Sequence, residues 1–95
     1  MNITKYSIIG SDISLVGAGR RWDIFKADKF VIRFSKRDEA FAEFKRLTKE
    51  AREICTERYE SSKPAPEEEM VAEQFLNYFR DTEVRKQESY KIKKK

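Results

Sequence analysis

Residues 20–40 read RRWDIFKADKFVIRFSKRDEA, and their hydrophobic period changes once, from two to 3.6 residues. Up to Phe34, apolar or aromatic residues alternate with charged ones, the pattern of a half-buried strand. Register decides what such a hairpin presents, because a slip of one residue moves every side chain to the other face. A two-residue loop at Ala27 and Asp28 would set Trp22 against Arg33 and scatter charge over both faces. A three-residue loop over Ala27, Asp28 and Lys29 opposes Trp22 with Phe34, Ile24 with Ile32, Phe25 with Val31 and Asp23 with Arg33. That register gathers Trp22, Ile24, Phe30, Ile32 and Phe34 on one face and leaves a cross-strand ion pair on the other. The left-handed position of such a loop then falls on Asp28 or Lys29, since no glycine is present.

After Ser35, which with Asp38 resembles a capping box, Ala40, Phe41, Phe44, Leu47, Thr48, Ala51, Ile54 and Cys55 recur at three- and four-residue spacing. This predicts one helix running to about residue 59 or 60. The segment SSKPAP breaks it. A second helix is expected from about Pro66, with Glu67, Glu68 and Glu69 favoured in its first turn by the helix dipole and Met70, Val71, Phe75, Leu76, Tyr78 and Phe79 on its apolar side. Upstream, residues 3–9 and 13–16 are short, β-branched and bounded by turn residues, so they read as strands. The glycines of Gly17-Ala18-Gly19 lead into a strand and not a helix, which makes them turn residues and not a nucleotide-binding fingerprint. The expected fold is α+β and two-layered, an antiparallel sheet of three or four strands followed by two helices packed on one face. Residues 1–84 form the domain and 85–95 a flexible basic tail, the alternative for the latter being a short edge strand using Tyr90 and Ile92.

The chain has 95 residues, 40% of them charged, with a net charge of +4, room for one modest core. The charges are segregated along it. Residues 1–37 carry eight basic and three acidic residues, residues 38–84 seven and thirteen, and residues 85–95 six and one. Such fields steer association without determining a fold. The chain has no histidine and one cysteine, Cys55, which removes the commonest general base, the commonest zinc ligand and any internal disulfide. No apolar run approaches the length of a membrane span and the start lacks the features of a signal peptide. The expectation is a cytoplasmic protein that binds and does not catalyse, with no catalytic residue, metal or cofactor.

If both helices cover the Trp22 face, the opposite face presents Arg21, Phe25, Val31 and Arg33, with Arg20 and Lys29 beside them. Cations around an exposed ring suit nucleic acid, the former for phosphates and the latter for stacking or wedging. Lys91, Lys93, Lys94 and Lys95 would add a non-specific electrostatic arm. Residues 20–47 also resemble the AP2-like, three-stranded-sheet-plus-helix arm-binding domain of phage integrases, with Phe34, Glu39, Ala40 and Leu47 at the positions where that family carries such residues. The resemblance implies a sheet entering the major groove and a DNA-contacting role for Arg21, Lys29 and Arg33. The chain departs from the family at Lys36, where a capping threonine is usual, in its glycine-free hairpin, and in lacking a following recombinase domain. The rival expectation is a protein-interaction module, such as a phage or mobile-element accessory protein that inhibits or adapts a larger host complex. In that case Glu43, Glu50, Glu53, Glu57 and Glu73 would dock a basic partner. A small sheet with an open edge also makes a homodimer possible.

Overall fold

A computed structural model describes residues 2–49, 53–62 and 70–91, with side chains described through Val84. The fold is α+β, an antiparallel sheet with two helices. The strands are β1 (Asn2–Ile8), β2 (Ile13–Ala18), β3 (Arg21–Lys26), β4 (Lys29–Phe34), β5 (Glu53–Glu60) and β6 (Glu83–Lys91). Helix α1 (Arg37–Leu47) lies between β4 and β5, and α2 (Ala72–Arg80) between β5 and β6. The sheet order is β4-β3-β2-β1-β5-β6. Four strands form a meander, and the chain then crosses over α1 to extend the far edge of the sheet with β5.

The helices cover opposite faces, which corrects the expected two-layer arrangement. Leu15, Ile24 and Ile8 pack with Ala40 and Phe44 of α1, whereas Val16, Ala18, Ile3 and Phe25 pack with Phe75 and Phe79 of α2. Leu15 and Val16 are sequence neighbours, as are Ile24 and Phe25, and successive strand residues point to opposite faces. β2 and β3 are therefore covered on both sides. The face expected to stay open around Phe25 is covered instead, because α2 supplies a second apolar surface.

The hairpin keeps part of its expected register: Trp22 opposes Phe34, Asp23 opposes Arg33 and Ile24 opposes Ile32. Beyond Ile24 a bulge intervenes, so Phe25 opposes Phe30 and Lys26 opposes Lys29. The loop is the two residues Ala27 and Asp28, both with positive φ, 51° and 63°. That is the backbone of a type I′ turn, whose right-handed twist suits a tight hairpin. Val31 absorbs the extra residue. Phe30 is thereby moved from the Trp22 side to the Phe25 side, where the two rings meet edge to face at 6.1 Å.

Two further segments depart from expectation. Helix α1 starts from Lys36 without a side-chain cap and stops at Thr48, whose N–H and hydroxyl both turn back to the carbonyl of Phe44. Ile54 and Cys55 belong instead to β5, which pairs with β1 over Asn2–Ile8. In this strand Ile54, Thr56 and Tyr59 are the residue types a pleated surface favours, and seven cross-strand partners override the helical spacing. Residues 85–91, expected as tail, pair with β5 as part of β6. The expected start of the second helix at Pro66 and Glu67–Glu69 lies outside the described residues, and α2 itself begins after Val71.

Gly17 is buried directly beneath the Trp22 ring, where an added β-carbon would fall inside the van der Waals envelope of Trp22 Cζ3. Gly17→Ala is expected to destabilise the fold by about 1–3 kcal/mol through overpacking, measured by urea denaturation. Replacing the turn by Ala27→Asn and Asp28→Gly should raise stability by about 1 kcal/mol per residue, because these types accept positive φ at lower cost. An unchanged denaturation midpoint for the turn variant would contradict the turn geometry.

Candidate nucleic-acid interface

The basic face expected around Phe25 is the face that α2 covers. Phe25 is 1% exposed and stacks on Phe75 with ring centroids 5.8 Å apart and planes 8° from parallel. Arg21 is 6% exposed, its guanidinium 5.7 Å from the Phe75 ring centre. Arg33 donates from Nε to Asp23 at 2.9 Å and from Nη2 to the carbonyl of Met70, ahead of α2, at 3.3 Å. The Asp23 carboxylate, wholly buried, also faces Arg21 Nε at 3.8 Å. Neither Arg21 nor Phe25 is placed to meet a ligand while α2 is docked.

This cluster shows how α2 settles on charged residues. Two guanidinium groups converge on one carboxylate, and their flat faces lie against Phe75 and Phe30. Burial pushes the Asp23 carboxyl above its ordinary value, while the hydrogen bond from Arg33 and the charges of Arg33 and Arg21 pull it down. Along β1, the Lys5 ammonium sits 5.7 Å from the Phe79 ring centre. Tyr59 donates its hydroxyl proton to Glu57, and burial together with this bond raises its pKa.

The remaining expected residues are dispersed. Arg20, in the turn before β3, and Lys29, the first residue of β4, are exposed at opposite ends of the β3-β4 hairpin. Lys91 ends β6, and Lys93, Lys94 and Lys95 lie outside the described residues. The acidic set is divided between layers. Glu43 lies on α1, where the bond from Arg46 holds its carboxyl below the usual range. Glu53 and Glu57 are on β5 with side chains toward the α2 side, Glu73 is exposed on α2, and Glu50 lies outside the described residues. The four described acids do not converge on one surface.

A different basic and aromatic surface lies on the α1 side. Helix α1 packs over β2, β3 and β4, leaving β1 and β5 beside it. Phe41 of α1 meets Tyr6 of β1 edge to face at 4.8 Å and lies 6.0 Å from Trp22. All three rings are half-buried. Arg37 lies over the Phe41 ring with its guanidinium carbon 4.5 Å from the centre. Two turns further along the helix, Lys45 projects on the same flank.

From β5, Arg58 stands opposite Thr4, which stands opposite Gly17 under the Trp22 ring. Strand alternation thus puts Arg58 on the same face as Trp22 and Tyr6. Arg37, Lys45 and Arg58 are exposed and take no part in an ion pair among the described residues, unlike Arg33. Asp38 in the first turn of α1 and Glu60 at the end of β5 place some negative charge nearby. Sequence reading missed this surface because its residues come from three separated segments. The one local signal is the four-residue spacing of Arg37 and Phe41.

Comparison with protein-family models, curated proteins and solved structures finds no match to this chain. Among the described residues no group of histidine, cysteine, aspartate or glutamate is arranged to hold a metal, and no helix is long and apolar enough to cross a membrane.

Removing the shared carboxylate by Asp23→Ala should cost about 3–5 kcal/mol, the usual result of breaking a buried charge cluster from one side. Asp23→Asn should cost less, because burial already disfavours the charge. With its folded-state pKa raised above 3.8, Asp23 favours folding most at low pH, and this advantage is lost as pH rises through the folded-state value. The difference in urea stability between wild type and Asp23→Asn, followed against pH, should show that trend; a trend of opposite sign would contradict it.

Proposed function

We propose that the protein binds nucleic acid, or a nucleoprotein through its nucleic acid, and catalyses no reaction. The observation that supports this reading is that exposed Arg37, Lys45 and Arg58 lie on the α1 side of the sheet, the side that carries the Trp22, Phe41 and Tyr6 rings, with Arg37 directly over Phe41. Cations free of intramolecular ion pairs release counterions when they meet phosphates, a driving force that charges already neutralised by a carboxylate supply less well. The three aromatic edges give sugars and bases an apolar wall. Arg20 and Lys36 lie toward the end of the sheet where α1 begins, and extend the positive field along one backbone path.

The lysines at 91 and 93–95 add sequence-independent attraction in this proposal, and Lys29 a peripheral contact. Arg21, Phe25 and Arg33 act by holding α2 in place. The major-groove mode implied by the resemblance to integrase arm-binding domains uses the sheet face that α2 occupies here, so the proposed contact is made from the α1 side.

Fluorescence anisotropy with labelled duplex and single-stranded DNA and RNA at ~50 mM salt tests the reading. Wild type should bind at least one of them, and Arg37→Glu with Arg58→Glu should weaken it at least tenfold and flatten the dependence on salt by about one unit of slope per lost phosphate contact. Loss of binding with unchanged circular dichroism supports the assignment. Failure of wild type to bind any of the four probes overturns it, as does a double variant that binds like wild type.

A further inference from the structure

β4 is an edge strand, paired only with β3 among the described residues, and it carries three consecutive exposed apolar residues. Phe30 is 40% exposed, Val31 50% and Ile32 38%. Edge strands in soluble proteins are commonly protected by charge, proline or a covering segment. Here the six residues contain neither proline nor glycine, and only Lys29 and Arg33 are charged. We propose that β4 pairs antiparallel with β4 of a second copy of this chain, Phe30 of each opposite Arg33 of the other, about a two-fold axis between Val31 and Ile32.

The register follows from three constraints. A two-residue turn closes on a hydrogen-bonded pair, here Lys26 and Lys29, so the next residue, Phe30, turns its backbone N–H and C=O to the open edge. The bulge at Val31 then re-phases the strand. Arg33, which opposes Asp23, becomes the next residue with outward backbone groups. Pairing Phe30 with Arg33 of the second copy, and Arg33 with its Phe30, matches these donors and acceptors at both places.

The same register matches faces. Phe30 and Arg33 lie on the α2 side, where the Arg33 guanidinium carbon is already 5.2 Å from the Phe30 ring centre. Lys29 and Phe34 become partners on the α1 side, and Val31 meets Ile32. Shifting one way places Lys29 opposite Arg33, a like-charge pair that destabilises a ladder. Shifting the other way places Phe30 opposite Phe34, whose side chains point to different faces. Charge, face and backbone phase thus select one register out of three.

An antiparallel pair about this axis joins two six-stranded sheets into one of twelve and puts both α1 helices on the same side. The two surfaces around Arg37 and Arg58 would then face one way. The pairing does not rest on the nucleic-acid reading and is tested without nucleic acid.

Sedimentation velocity across a dilution series up to ~0.1 mM should show wild type passing from one to two monomer masses. Val31→Lys, at an exposed position that brings two lysines to the axis, should remain at one monomer mass with unchanged circular dichroism. In a Cys55→Ser background, a mixture of Val31→Cys and Ile32→Cys proteins should form a disulfide-linked heterodimer under mild oxidation faster than either protein links to itself. Wild type that stays monomeric throughout overturns the proposal, as does a dimer that Val31→Lys leaves intact. Should Val31→Lys fail to fold, the cysteine mixture decides: linking without preference for the mixed pair refutes the register.

Discussion

The Asp23 carboxylate is the point on which the α2 side of the sheet turns. β3 is covered on both faces, so each of its central side chains must be apolar or find a partner inside the protein. Asp23 does so by drawing in Arg21 from its own strand and Arg33 from the next. Arg33 in turn reaches the carbonyl of Met70, so the start of α2 is tied to the sheet by the same guanidinium that neutralises the buried acid. Phe75 completes the arrangement by stacking on Phe25 and lying beside Arg21. A charged sheet face thereby becomes an interior one, with ion pairing and ring stacking added to the aliphatic contacts of Ile3, Val16 and Ala18.

That exchange has a consequence for function. Cations that serve as internal partners lose most of their long-range attraction for a ligand, because a nearby carboxylate cancels their field at a distance. The charge segregation along the chain is also undone by the fold, since β5 from the acidic middle is inserted between β1 and the basic β6. In the proposed contact, what matters is which cations remain exposed and unneutralised after folding. Among the described residues around α1 these include Arg37 and Lys45 from the helix and Arg58 from β5. Their placement on one side of the sheet is a property of topology.

The sequence carried some elements openly and concealed others for identifiable reasons. Strands β1 and β2 and the pairings of Trp22 with Phe34, Asp23 with Arg33 and Ile24 with Ile32 follow from alternation and from matching charge. The end of the first helix was concealed because Leu47, Thr48, Ile54 and Cys55 fit one helical stripe by spacing, although Thr48 closes the helix. Only long-range pairing with β1 reveals Ile54 and Cys55 as strand residues. The distribution of the helices between two faces was hidden for a similar reason. Phe25 reads as the odd aromatic on a charged face until Phe75, fifty residues later, is seen to stack on it. Of the expected site residues, Arg20 and Lys29 keep the exposure foreseen for them, while Arg21 and Phe25 lose it to α2.

The hairpin turn connects these features. A three-residue loop would have kept Val31 opposite Phe25 and left Phe30 on the Trp22 side. The observed loop has two residues, both with positive φ although neither is glycine, and the residue it releases into β4 becomes the bulge at Val31. The bulge carries Phe30 across to Phe25, where it supports the aromatic contacts beneath α2, and it determines which backbone groups of β4 face outward. A single residue moved from loop to strand therefore alters both the packing of the α2 side and the bonding phase of the open edge. The positive φ values at Ala27 and Asp28 are held within the hairpin by these contacts, so the outward bonding phase of β4 is set at the turn that precedes it.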